Sequence, residues 1–127
     1  MEEPISSAKR IEQEQREICD RYSETFVPCP EQSKLGFALS TRGRSPINGL
    51  RHPAQGNTSG WYLWCGEEFS TSTEFFQPLH ASHVYEEFPD LGKLLGLPPG
   101  YRFVIAGDYV DVWYDSSLLN VYPGGAV

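Results

Sequence analysis

Ala8, Ile11, Ile18 and Tyr22 recur at spacings of three, seven and four, the rhythm of one face of an α-helix. Glu12, Glu14, Arg16, Glu17, Asp20 and Arg21 fill the opposite side, with Glu12–Arg16 and Glu17–Arg21 placed as favourable i,i+4 pairs. Ser6 or Ser7 caps this helix, and the pattern carries it to about Phe26, before Pro28 and Pro30 end it. Lys34–Ser40 then reads as a short strand. Residues 41–59 are rich in glycine, proline and polar residues, with Ile47 and Leu50 as apolar anchors, and read as a long loop. Gly60 opens a second strand, Trp61–Cys65, dense in strand-favouring side chains, and Gly66 closes it.

Ser72 or Thr73 is placed to cap a short helical turn through Phe76. Ser82 is placed to cap a helical stretch from His83 to about Leu95, interrupted near Pro89, with Leu91, Leu94 and Leu95 as its buried stripe. Gly96–Gly100 is a breaker. Beyond it, Tyr101–Ala106 and Tyr109–Tyr114 flank Gly107-Asp108, a two-residue loop suited to a type II′ turn. That loop sets Ala106 against Tyr109, Val104 against Asp111 and Arg102 against Trp113. Tyr101, Phe103, Ile105, Val110, Val112 and Tyr114 then share a face that belongs in a core. The other face carries Arg102, Asp111, Trp113 and Asp115. Arg102 can stack on Trp113 and reach Asp111 in a purely structural role. Alternatively the same face is a binding surface, since Trp, Tyr and Arg are the usual interface anchors.

The elements together predict an α+β fold. It is a single domain spanning residues 1–127, with an antiparallel sheet of about four or five strands, an N-terminal helix and a mid-chain helix. The 127 residues are 39% hydrophobic and 13% aromatic, enough for one core. No apolar run approaches the ~20 residues of a membrane span. The acidic start, Met1-Glu2-Glu3-Pro4, does not read as a secretory signal. Cys19, Cys29 and Cys65 read as free thiols in a reducing cytoplasm, where the protein is expected.

The net charge of −7 is unevenly placed. Residues 32–60 hold no acid and four bases, Lys34, Arg42, Arg44 and Arg51. Residues 61–127 hold nine acids against Lys93 and Arg102. Such a field repels nucleic acid and speeds association with basic partners; as a bland alternative, it only keeps the chain soluble.

Candidate chemistry is sparse. His80 and His83, with Glu86 and Glu87 close behind, lack the spacing of a specific zinc site, and His52 stands alone in the loop. Cys19 and Cys65 sit where small buried side chains are common, which argues against a Cys–His nucleophile. Carboxylate pairs for glycoside hydrolysis can be drawn from Glu67, Glu68, Glu74, Asp111 and Asp115, but acids are abundant here and such a pair means little. Phosphate-binding glycine motifs and nucleophile elbows are absent from the sequence. No catalytic residue, metal ligand or cofactor is predicted.

Two stretches together resemble a known family. The first is Gly36-Phe37-Ala38 followed by Ser59-Gly60-Trp61-Tyr62-Leu63-Trp64-Cys65-Gly66-Glu67-Glu68. The second is Pro89-Asp90-Leu91 through Leu94-Leu95, the Pro98-Pro99-Gly100 turn and the terminal hairpin. This order is similar to the Imm33-like immunity proteins of bacterial polymorphic toxin systems, over roughly residues 35–115. The N-terminal helix lies outside the matched part, and Phe69–Thr73 breaks the acidic stretch expected after Gly-Glu-Glu. The resemblance implies a non-catalytic protein that binds and neutralises a toxin made by the same bacterium or its kin. Its expected partner is a toxin with a basic active-site cleft, met by Glu67, Glu68, Glu74, Asp111 and Asp115, with Trp64, Trp113 and Tyr109 as anchors. A second reading assigns Arg42, Arg44 and Arg51 of loop 41–58 to an anionic, nucleotide-like ligand, in a small binding module or enzyme.

Overall fold

In the computed structural model, residues 7–70, 72 and 74–120 are described; Ser6 and Thr73, both candidate caps, lie outside them, as does the side chain of Ala8. The first helix, α1, spans Ser7–Arg21. It stops five residues before Phe26 because Ser23 turns into the left-handed region, with φ 56°. The Ser23 and Glu24 amides then donate to the Asp20 and Cys19 carbonyls, a Schellman closure. Ile11 and Ile18 are buried as predicted, and Gln15 and Cys19 join them. Tyr22 is exposed. Arg16 pairs with Glu12 at 3.3 Å and lies 4.3 Å over the Phe26 ring.

Six strands follow: β1 (Lys34–Phe37), β2 (Ile47–Arg51), β3 (Thr58–Cys65), β4 (Gln77–His80), β5 (Tyr101–Ala106) and β6 (Tyr109–Tyr114). They form one sheet in the order β4-β1-β3-β2-β5-β6. The sheet is mixed: β1 runs parallel to β3, and every other pair is antiparallel. The α+β class holds, with six strands rather than the four or five expected and one parallel pair in a sheet expected to be wholly antiparallel. A strand, β2, lies within the segment read as a loop, and β4 replaces the region beyond the turn near Phe76. Two short helices, α2 (Ala81–Glu87) and α3 (Pro89–Gly92), occupy the stretch predicted as helical from Ser82. Among the described residues, no helix is long and apolar enough to cross a membrane.

Register sorts the sheet into two faces. Leu35, Phe37, Trp61, Leu63, Cys65, Tyr101 and Phe103 point to the helices and make the main core with Ile11, Ile18, Val84, Leu91, Leu94, Leu95 and Leu97. Gly49 lies on this helix face, and a Cβ there would come within 2.3 Å of the Phe103 ring, so the absent side chain is what lets Phe103 cross β2. The outer face carries Leu50, Tyr62 and Trp64, and is covered by Phe75, Phe76 and Leu118. The hairpin register matches the prediction pair for pair. Gly107 has φ 60° while Asp108 does not enter the positive-φ region, the pattern of a type II′ turn. Val110 and Tyr114, however, are 44% and 51% exposed rather than in the core. Both sit on β6, an outermost strand, where little of the helical layer remains to cover them.

The polar interior converges on Arg51, which is 1% exposed. Its Nε donates to the Ser59 carbonyl at 3.0 Å, and Nη1 lies 2.8–3.2 Å from the carbonyls of Val27, Leu95 and Leu97. Nη2 donates to the Pro28 carbonyl at 2.9 Å. Among the described residues no carboxylate pairs with Arg51; backbone carbonyls and the Trp61 ring face the charge, and burial pulls its pKa below the ordinary value. Nearby, Trp61 Nε1 donates to the Leu95 carbonyl at 2.8 Å, Gln15 Nε2 to the Gly92 carbonyl at 2.9 Å, and Cys19 Sγ to the Gly96 carbonyl at 3.3 Å. The Tyr85 hydroxyl donates to the Cys29 carbonyl, and burial pushes its pKa well above the ordinary range.

Removing the guanidinium takes a donor from five carbonyls: those of Ser59 and Leu97 are buried, those of Val27 and Pro28 partly so, and that of Leu95 keeps the Trp61 indole. Arg51→Met is expected to cost about 3–5 kcal/mol in urea unfolding, and Arg51→Lys at least about 2, because a lysine has too few donors for the fork. A loss under about 1 kcal/mol in both would mean that the carbonyls find other donors.

Candidate functional site

The Ser59–Glu68 stretch has a physical reason at almost every position. Ser59 supplies a carbonyl to Arg51. Gly60 has φ 91°, and a Cβ there would lie 1.9 Å from the His52 carbonyl oxygen, so only glycine fits. Trp61 and Leu63 fill the helix face, while Tyr62 and Trp64 fill the outer one. The Cys65 amide donates to Thr41 Oγ1 at 2.9 Å. The Gly66 amide donates to the Pro46 carbonyl, and the Gly66 carbonyl accepts from Asn48 Nδ2 at 2.8 Å. Glu67 and Glu68 differ. Both are exposed, and neither has a hydrogen bond or ion pair among the described residues.

Trp64 is 5% exposed and lies under an aromatic lid. Its ring centroid is 5.0 Å from Phe69 and 6.1 Å from Phe76, while Phe76 is 4.9 Å from Phe75 and 5.2 Å from Tyr62. Trp64 is thus a packing residue of the outer face, and the exposed aromatic of this cluster is Phe69. The sequence signal for the lid is its density of phenylalanines at 69, 75 and 76, in a segment with neither helical nor strand rhythm. Glu74 is exposed between the lid residues, where its amide donates to Ser72 Oγ at 3.3 Å.

On β6, Tyr109 is 60% exposed, Trp113 40%, and Asp111 is exposed between them on the outer face. Arg102 stacks 5.7 Å from the Trp113 ring but pairs with Asp115 at 3.3 Å, not with Asp111. Asp115 is held for that role by the turn after β6, where its Oδ1 accepts from the Ser117 amide and hydroxyl. Those bonds, with Arg102 behind them, hold its pKa below the ordinary carboxylate value. Among the described residues, Asp108 and Asp111 have no ion-pair partner.

The paired residues Cys65–Ile47, Ile47–Ile105 and Ile105–Val110 lie across one end of the sheet. Glu67, Glu68, Asp108 and Tyr109 therefore cluster toward that end, with Asp111 one pair further in. Trp113 and Asp115 lie toward the other. The eight predicted residues thus form no single patch: Trp64 is inside, Asp115 is engaged, and the rest frame the outer face.

The basic loop reading is corrected by β2. Arg51 points into the core, its donors taken by carbonyls, and does not meet an external ligand. Arg42 and Arg44 are exposed; Arg42 Nε donates to the Leu39 carbonyl at 3.3 Å, and the Arg44 stem packs near Gly66. Among the described residues, no group of three or more His, Cys, Asp or Glu side chains is placed to hold a metal ion. His80 and His83 flank a shallow cavity of about 230 Å³ with Lys34.

A family model, the Imm33-like domain, matches residues 14–115, and the chain belongs to that family. The match reaches further than the resemblance over 35–115, taking in the second half of α1. No curated protein and no solved structure matches the chain.

These placements separate packing residues from free ones. Trp64→Ala is expected to cost about 3–5 kcal/mol of stability. The double reversal Glu67→Lys, Glu68→Lys should change it by no more than about 0.5 kcal/mol, read in the same denaturant titration.

Proposed function

We propose that this chain is an immunity protein that binds a cognate toxin of the same bacterium or its kin in the cytoplasm and neutralises it without catalysis, by occluding or locking it. The observation that carries the reading is the Imm33-like match, which runs from α1 to the end of the hairpin. Two features of the surface support it. Glu67 and Glu68 are the members of the motif stretch that do no structural work, and they stand next to the exposed Phe69. Tyr109, Asp111 and Trp113 add aromatic area and unpaired negative charge on the same outer face. Apolar rings beside unpaired acids suit a basic protein cleft: the rings supply contact area and the charges speed encounter.

The experiment is affinity capture of a toxin encoded beside this chain, followed by co-expression. The expected result is one stoichiometric partner, toxic alone and harmless with this chain. No capture from cells shown to make that toxin would overturn the reading. Glu67→Lys with Glu68→Lys should slow association by about tenfold at low salt and flatten its salt dependence. Unchanged association kinetics would show that these acids are only a solvated surface.

A further inference from the structure

The two edges of the sheet are built differently. β4 is four residues long, contains Pro78 and passes straight into α2, which are ways of blunting an edge. β6 is six residues long, runs in unbroken register along β5, and contains neither proline nor lysine. Its hydrogen-bonding groups can be sorted from the hairpin. A two-residue turn makes Ala106 and Tyr109 a hydrogen-bonded pair, and the alternation continues with Val104–Asp111 and Arg102–Trp113. The Asp115 amide donating to the Gly100 carbonyl at 2.7 Å continues the same phase. The N–H and C=O groups of Val110, Val112 and Tyr114 therefore point away from the sheet, and among the described residues they make no bond outside it.

We infer that β6 is a strand-accepting edge, and that its occupant is an extended, basic strand of a partner protein with alternating apolar and cationic residues. The alternation follows from the faces. Opposite Val110, Val112 and Tyr114, on the helix side, an incoming strand meets apolar side chains, Val112 partly buried and the other two exposed. Opposite Tyr109, Asp111 and Trp113, on the outer face, it meets aromatic rings and an unpaired carboxylate. Those outer positions are non-hydrogen-bonded pairs on the open edge, where cross-strand side chains approach most closely, so a lysine or arginine opposite Asp111 is well placed. A second copy fits poorly. Pairing β6 with itself sets Asp108, Asp111 and Asp115 of both strands along one ladder, with only the two Arg102 side chains, already engaged with Asp115, behind them. Main-chain bonds would supply affinity and the alternating side chains specificity. The inference rests on the immunity reading in that the toxin would supply the strand.

The edge can be tested without the toxin, using the peptide Thr-Lys-Val-Lys-Val-Lys-Thr and a twin with glutamate in place of lysine. Water-exchange NMR on the full chain reads the amides of Val110, Val112 and Tyr114. At about 10 mM, the basic peptide should slow all three about tenfold, as a Kd near 1 mM requires, and the acidic twin should not. Val112→Pro removes an outward N–H and no bond of the β5–β6 ladder, so it should abolish the effect, whereas Val112→Ala should keep it. Asp111→Lys, on the exposed face, should invert the preference to the acidic twin. No slowing, slowing by both peptides alike, or slowing confined to other amides would overturn the inference. So would a wild-type dimer that Val112→Pro dissociates, because the occupant would then be a second copy. If a captured toxin binds Val112→Pro and wild type equally, the edge falls and the immunity reading stands. If the basic peptide binds as described but no toxin is captured, the edge stands and the immunity reading falls.

Discussion

A charge buried without a countercharge must be solvated by whatever the fold brings to it. Arg51 is met by the carbonyls of Val27, Pro28, Ser59, Leu95 and Leu97, which come from three separated stretches of chain. One side chain therefore ties β2 to β3, to the segment leaving α1, and to the turns that follow α3. Four of those carbonyls, of Val27, Pro28, Leu95 and Leu97, lie outside the helices and strands, where the backbone ladder does not reach them. The Trp61 indole, 5.5 Å from the guanidinium, shares the Leu95 carbonyl with it. Specificity follows from geometry: the planar fork reaches its acceptors only when helix, sheet and turns are all in register.

That arrangement closes one side of the sheet and leaves the other to lighter cover. On the helix face, α1, α2 and α3 bury a continuous core. On the outer face, Phe69, Phe75, Phe76 and Leu118 shield the centre, over Tyr62, Trp64 and Leu50, while Tyr109 and Trp113 of β6 stay exposed. Exposed aromatic rings and unpaired acids thus collect where the second layer ends. Gly66-Glu67-Glu68 follow β3, two strands in from β6, with the glycine held by Pro46 and Asn48 and the glutamates exposed.

The hairpin's register was legible in the sequence because a two-residue turn leaves one register, and Trp61–Cys65 because every residue in it suits a strand. β2 was hidden for a physical reason. Its inward positions are Ile47, Gly49 and Arg51, so the period-two signal is carried by a residue with no side chain and by a charge. The glycine is required by Phe103 and the arginine by distant carbonyls, neither of which a local pattern can show. β4 was hidden by Pro78 and by its polar edge composition, and the parallel β1–β3 pair by its dependence on topology rather than propensity. The acidic excess of residues 61–127 was readable, but not which acids are free. Asp115 is taken by Arg102 and Ser117, and Trp64 by a lid whose phenylalanines follow no period. Val110 and Tyr114 matched a core face by alternation and are exposed because β6 has no neighbour beyond it.

Engagement of a toxin by this Imm33-like chain through its outer face and the β6 edge can be read by hydrogen-exchange mass spectrometry of the full chain, alone and bound to the toxin encoded beside it. Such engagement brings new protection confined to residues 66–69 and 108–115, with α1 and α2 unchanged. Protection centred on α1 and α2, with 108–115 exchanging as in the free chain, would contradict it.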